Sequence, residues 1–318
     1  MPGFLLTIAL VGLLTYVYSR IVRSIDRYEK EPTRYLVAAF VWGAVPAVIL
    51  GIVVQLTFEI PTSLILGEDS LGSALFGSAI VAPATEEMLK GLAVAIIYLA
   101  RRSEFDGWVD GIIYGATVGF GFAFVENVLY LTTADGWGEW LRLFILRVVV
   151  FGFMHGYWTA LTGIGFGVAR GLKSNSAKLL AISIGLSAAI WSHLVHNGAL
   201  VLVETSGGGT FLIAIANYAA LSIGMIALSV AAAHNDRQIM RVYLADEVPG
   251  VISSEDYEVL SHTRTGARAR LRLMSKQRRR FIQAAAELAQ KKKQLARMGD
   301  ETGNSAEITR LRAQLSNL

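Results

Sequence analysis

The chain contains no cysteine, which excludes disulfides, thiolate nucleophiles and Cys-ligated metals. Only 17% of its 318 residues are charged, against 53% hydrophobic, a balance that excludes a soluble globule with one core. Proline is scarce too, with six in the chain, so long helices are seldom interrupted. No basic cluster precedes the first apolar run. A cleaved signal peptide would carry its charges there, so an uncleaved anchor is expected. No repeat of solenoid period is present. What the chain does have is long apolar runs, and these make it a polytopic membrane protein.

Seven runs are long enough to cross a bilayer: residues 2–19, 35–58, 71–100, 109–133, 141–169, 179–203 and 211–233. Arg20, Arg23, Arg27 and Lys30 follow the first, Arg101 and Arg102 the third, and Arg170, Lys173 and Lys178 the fifth. The connection 59–70 instead holds Glu59, Glu68 and Asp69 with no Lys or Arg, and an acidic, Trp-rich loop spans 135–140. An external N-terminus and a cytosolic C-terminus put almost every loop cation on the cytosolic side. Arg142 and Arg147, at the mouth of the fifth span or within it, are the exceptions. The expected architecture is therefore all-α, a membrane bundle of about seven transmembrane helices with a basic cytosolic tail.

Three regions follow: an anchor and cytosolic connection (1–33), a transmembrane core (34–233) and the tail (234–318). From Ala233 onward Lys and Arg number 16 against 10 Asp and Glu, while the preceding chain has 13 against 15. The basic excess belongs to the tail, where it suits anionic lipid headgroups and not nucleic acid. Residues 264–298 form a basic, helix-favouring stretch with Phe281, Leu288 and Leu295 seven apart. After a break at 299–305, Ile308, Leu311, Leu315 and Leu318 continue the apolar pattern. A short helical hairpin or coiled-coil piece is expected, either as an oligomer contact or as a solvated charged helix.

Charge inside the apolar runs carries the chemistry. Val81 to Gly91 reads Val-Ala-Pro-Ala-Thr-Glu-Glu-Met-Leu-Lys-Gly and sets Glu86 and Glu87 near the middle of the third run. One acid at the centre of a membrane helix costs roughly 2.5–3.5 kcal/mol on insertion scales. Lys90, four residues after Glu86 and three after Glu87, can offset part of that cost. An ion pair that only glues helices is the bland alternative. Three further spans hold polar groups at comparable depth: Glu126 and Asn127 in the fourth, His155 in the fifth, and His193, His196 and Asn197 in the sixth. Gly111, Gly115 and Gly119 precede Glu126 at the spacing that lets helices approach closely. His193 and Asn197 share a helix face, from which His196 is rotated by about 60°. Such a set offers a carboxylate base for water, an imidazole for proton transfer and donors for an oxyanion.

Taken in order, Glu86-Glu87-x-x-Lys90, Phe122-x-x-x-Glu126-Asn127, His155 and His193-x-x-x-Asn197 resemble the PrsW family of intramembrane proteases. That family is related to the CAAX prenyl endopeptidases and bacteriocin-immunity membrane proteins. The resemblance covers about residues 34–233 and implies a glutamate-activated water acting on membrane proteins, such as anti-sigma factors, in a bacterial cell membrane. Carried over, Glu86 or Glu87 activates water, with Glu86 favoured, and Glu126 shares or orients it. His193 with Asn197 stabilises the oxyanion, and His155 positions water or substrate. CAAX relatives usually have Arg where Lys90 stands and His where Glu126 stands, which argues against CAAX processing. No cofactor is implied by this scheme. Zinc on His155, His193 and His196 is the alternative, although His-Glu-x-x-His is absent. A transporter and a non-catalytic scaffold working through the tail are the rival functions.

Overall fold

Where water is excluded, an apolar segment satisfies its own backbone only as helix or closed barrel. The computed structural model describes residues 3–26, 30–67, 70–101, 104–262, 275–300 and 303–318, and these form helices and no strand. Pro2, Arg27, Glu68, Asp69, Arg102 and the 264–274 start of the basic stretch lie outside the described residues. Among the described residues, six helices are long and apolar enough to cross a membrane: α1 (Phe4–Arg23), α2 (Thr33–Leu66), α4 (Trp108–Thr132), α5 (Gly136–Arg170), α6 (Asn175–Val201) and α7 (Phe211–Tyr243). Between α2 and α4, helix α3 runs through Leu71–Ala74, Leu75–Val81 and Ala82–Ala100. It matches the third expected span in length, and Glu86, Glu87 and Lys90 at its middle set it apart from the other six. The protein is a helical membrane bundle.

The helices are not uniform. Gly43–Ala47 in α2, Leu75–Val81 in α3 and Phe144–Val150 in α5 widen into π-type turns, a form often found near functional sites. Pro46 lies within the first and Pro83 just past the second. Each removes an N–H from the regular ladder. Helix α5 is further interrupted at 151–153 before resuming as Met154–Arg170.

The chain divides into two compact units, Met1–Ser24 with Glu31–Ile226, and Ile25–Lys30 with Ala227–Leu318. In the first, α4 is the most deeply buried of the six spans. It starts at Trp108, where the Asp110 carboxylate accepts from the backbone N–H groups of Asp106 and Gly107 at 2.8 Å each. One face carries Gly111, Gly115 and Gly119. A Cβ there would fall 2.1, 2.5 and 2.1 Å from the carbonyl oxygens of Gly163, Thr159 and His155 on α5. Another face carries Gly121, whose Cβ would lie 2.1 Å from the Phe40 carbonyl on α2. The backbones therefore touch as small residues allow, and the carbonyl of His155 itself rests against Gly119.

The second unit holds the end of α7, a tight turn at Ala245–Glu247, and helices α8 (Ser254–His262), α9 (Lys276–Met298) and α10 (Asn304–Ser316). Helices α9 and α10 form a hairpin: Gln277 Nε2 donates to the carbonyl of Leu318 at 2.7 Å, bringing the end of α10 beside the start of α9. Gly299 (φ +74°) and Gly303 (φ +75°) make the reversal. Phe281, Leu288, Ile308, Leu311 and Leu315 join Ile239, Leu244 and Ile252 in one core. The seven-residue seam is thus filled from its own unit. Beside it, the Glu247 carboxylate accepts from Lys292 Nζ at 2.6 Å and from Arg312 through Nη2 at 2.6 Å and Nε at 3.0 Å. Lys292 also pairs with Asp246. Burial opposes the charge on Glu247, but its bonds to Arg312 and Lys292 outweigh that and hold the carboxyl below the usual glutamate value.

Two outcomes follow from this packing. Gly119→Val should destabilise the purified protein by about 1–3 kcal/mol or more, because backbone on both sides leaves no room. Gly224→Ala, where a Cβ meets nothing within 4 Å, should leave the melting temperature unchanged or raise it. In the tail the folded pKa of Glu247 is depressed. Its stabilisation is therefore complete above the unfolded value of about 4.3 and lost as pH falls through and below it. Hydrogen exchange in 281–295 and 308–315 should accelerate over that window. Glu247→Gln should lower protection by about 1.5–3 kcal/mol at neutral pH and flatten the acid dependence.

Candidate active site

Glu86, Glu87 and Lys90 share a face of α3 because they stand three and four residues apart. Lys90 Nζ lies 2.6 Å from Glu87 Oε1 and 3.5 Å from Glu86 Oε2. It also lies 3.3 Å from His155 Nδ1 on α5 and 4.3 Å from the ring centroid of Phe122 on α4. Lys90 and Glu87 are both 0% exposed. An ammonium has only protons to give, so His155 Nδ1 accepts and its own proton sits on Nε2. Nε2 then faces Glu126 Oε2 at 2.8 Å as an ion-pair contact. Arg147 Nη2 meets the same oxygen at 3.0 Å, while its Nε donates to Asn127 Oδ1 at 3.2 Å and its guanidinium lies 3.6 Å from the Tyr130 ring centroid.

The two adjacent glutamates differ in how far they are engaged. Glu87 Oε1 accepts from Lys90 and from His193 Nδ1 at 3.2 Å, and Oε2 accepts from the Thr159 hydroxyl at 3.1 Å. Glu86 Oε1 accepts only a long bond from Gln55 Nε2 at 3.3 Å, and its Oε2 faces His193 Nε2 at 4.0 Å. With the His193 proton on Nδ1 toward Glu87, Nε2 is an acceptor. The imidazole is fixed from behind by Trp158, whose ring stacks on it at 3.7 Å and 12°. Trp158 Nε1 donates to Ser192 Oγ at 3.2 Å, and that hydroxyl donates to Asn217 Oδ1 on α7 at 2.9 Å.

Five of the site residues expected from sequence, Glu86, Glu87, Glu126, His155 and His193, are thereby brought together from four helices, with Lys90 at their centre. Asn197 does not join them: its Nδ2 donates to the Ser78 carbonyl in the wide turn of α3 at 2.9 Å. His196 turns away, with its ring edge-on to Phe151 at 4.9 Å. Among the described residues, one group has metal-ligating geometry. It takes a donor atom from each of Glu86, His155 and His193, all within 4.8 Å of one another. Gln55 and Asn217 were missed by sequence reasoning. Their signal is an amide set in an otherwise apolar run, where a polar group needs a partner.

Comparison with known proteins bears on residues 31–232, which match the family model described as PrsW family intramembrane metalloprotease. Protease PrsW of Geobacillus kaustophilus (strain HTA426) is 29% identical over 161 residues, covering 50% of this chain and 63% of that protein. Protease PrsW of Bacillus subtilis (strain 168) is 31% identical over 121 residues, 38% of this chain and 49% of that protein. That of Clostridioides difficile (strain 630) is 32% identical over 110 residues, 35% and 44%. The chain thus spans less than two thirds of the length of these relatives. No solved structure matches it significantly.

The buried cation has a measurable weight. Lys90→Met should cost about 3–5 kcal/mol, because it strands carboxylates out of water. Lys90→Met combined with Glu87→Gln should recover part of that loss in thermal unfolding of the detergent-solubilised protein. An equal or larger loss in the double variant would show that the pair is not what stabilises this part of the bundle.

Proposed function

Since the chain belongs to the PrsW family of intramembrane metalloproteases, we propose that it hydrolyses peptide bonds of membrane-embedded proteins. The substrates are membrane proteins such as anti-sigma factors. Glu86 is the general base. The observation that carries this is the facing pair Glu86 Oε2 and His193 Nε2, two acceptors 4.0 Å apart. A water donating one proton to each keeps a lone pair free to attack a carbonyl. Glu86 takes the water proton as the bond to carbon forms and returns it to the amine as the C–N bond breaks. Glu87, held by Lys90 and Thr159, stays anionic behind His193 and stabilises the imidazole in this orientation. Glu126, between Arg147 and His155, orients His155 and, through it, Lys90. In this scheme His193 accepts where an oxyanion donor was expected, and Asn197 steadies α3 through Ser78.

The donor set also fits a metal. Two histidines and a glutamate are a set that catalytic zinc uses, and each histidine has a carboxylate on its other nitrogen, Glu87 behind His193 and Glu126 behind His155. Zinc held by Glu86, His155 and His193 would supply Lewis acidity and an acidified water. Lys90, already against Glu86 and His155, provides positive charge at the same place, and this favours water activated by glutamate. We further place the N-terminus outside and the C-terminus in the cytosol of a bacterial cell. The tail, with its excess of six cations, meets anionic lipid or a second copy of the chain there.

Glu86→Gln should lower cleavage of a membrane-peptide substrate by about 100- to 10,000-fold without loss of fold, while the His196→Ala variant keeps activity. Activity of purified enzyme should survive chelators. Stoichiometric zinc that is lost in step with activity, and restored with it, would instead assign catalysis to the metal. Full activity in Glu86→Gln would remove Glu86 as the base.

A further inference from the structure

Helix α1 precedes the stretch that the family model matches, residues 31–232, and contributes no group to the chemistry above. It nevertheless reaches the segment where the site helix α5 is interrupted. Arg147 stands before that interruption and His155 after it, and both meet one oxygen, Glu126 Oε2. Their placement around that oxygen therefore depends on the path taken by residues 148–154. Along it the backbone leaves the regular ladder: Phe151 N donates five residues back to the Leu146 carbonyl at 2.8 Å, and Met154 N donates to the Phe151 carbonyl at 2.9 Å.

In an apolar span, irregular backbone is tolerated where it is buried in protein or lines water, and a side-chain donor from a neighbouring helix is one way its freed carbonyls are satisfied. Tyr18 of α1 is that donor, its hydroxyl lying 2.8 Å from the Val148 carbonyl and 3.4 Å from that of Val149. Its ring packs on Phe153 with centroids 4.3 Å apart. The ring also lies so close to Gly152 that a Cβ there would come within 2.3 Å of Cε2. The Val148 carbonyl oxygen lies nearer still, 2.1 Å from that position, so the turn's own backbone and the Tyr18 ring together exclude a side chain at 152. Nearer the start of α1, Thr7 Oγ1 accepts from Trp140 Nε1 at 3.2 Å. Helix α1 thus holds the first half of α5 at two points.

We propose that Tyr18 is a positioning residue of the active site, fixing the interruption in α5 so that Arg147 and His155 converge on Glu126. The proposal rests on the peptidase function above, and its test separates the two. In the full chain, Tyr18→Phe keeps the ring and deletes the hydroxyl. It should lower kcat on a fluorogenic transmembrane peptide about five- to tenfold, the worth of one hydrogen bond, with KM unchanged. Combined with Arg147→Gln, the two losses should be less than multiplicative, since both act on one arrangement. Amide exchange at 151–154 should accelerate, and Tyr16→Phe, exposed on the same helix, should change nothing. Unaltered kcat and exchange in Tyr18→Phe would overturn the proposal, as would a loss fully multiplicative with that of Arg147→Gln and accompanied by a general fall in Tm. If the wild-type chain cleaves no membrane peptide, the peptidase function fails, and exchange at 151–154 alone decides whether Tyr18 fixes the interruption.

Discussion

An ammonium withdrawn from water persists as a cation only where its charge and its three protons are answered within a few ångströms. Lys90 is answered by two carboxylates of its own helix, by an imidazole of α5 and by an aromatic face of α4. Each of those partners is held in turn: Glu87 by Thr159 and His193, His155 by Glu126, Glu126 by Arg147. Little of this network can be moved singly. A shift of α5 that lost the His155 contact would also loosen Thr159 on Glu87, because the two residues lie one turn apart on that helix. The network is electrostatic, but its tolerance is set by how closely the helices carrying it approach.

That approach is a matter of backbone. The glycines of α4 bring it against the carbonyl side of α5 at the level of His155, Thr159 and Gly163. The same contact that packs the bundle therefore sets the depth of a site imidazole and a site hydroxyl. Wide turns in α2, α3 and α5 change the direction of side chains without ending the helices. The one in α3 lies just ahead of the paired glutamates and takes its extra donor from Asn197. The one in α5 carries Arg147.

Much of this was legible in residue order. Glycines four apart in front of Glu126 announced a close helix contact, and the spacing of Glu86, Glu87 and Lys90 announced a shared face. Rotation at 3.6 residues per turn separated His196 from His193, and the ring of His196 does lie against Phe151. Other features were not local and could not be read. Asn197 has the right spacing for a site donor, but its amide goes to a carbonyl more than a hundred residues away, in a turn that spacing does not reveal. The interruption at 151–153 contains no proline, so nothing marked it. In the tail the heptad spacing identified an apolar seam but not its occupant, which comes from residues 239–260 of the same unit. Gln55 carried a signal, a single amide in a lipid-like run, whose partner only the fold supplies.

The stacking of Trp158 on His193 has an optical consequence. An excited indole in van der Waals contact with an imidazole, as Trp158 is with His193, gives up charge to the ring readily when the ring is protonated and poorly when it is neutral. The yield therefore depends on what the ring's free nitrogen holds. Among the described residues, Trp158 is the tryptophan stacked on that ring; the chain's other five are Trp42, Trp108, Trp137, Trp140 and Trp191. The bundle thus contains its own fluorophore, in direct electronic contact with the site, and a change at His193 Nε2 becomes visible as a change in emission without any label.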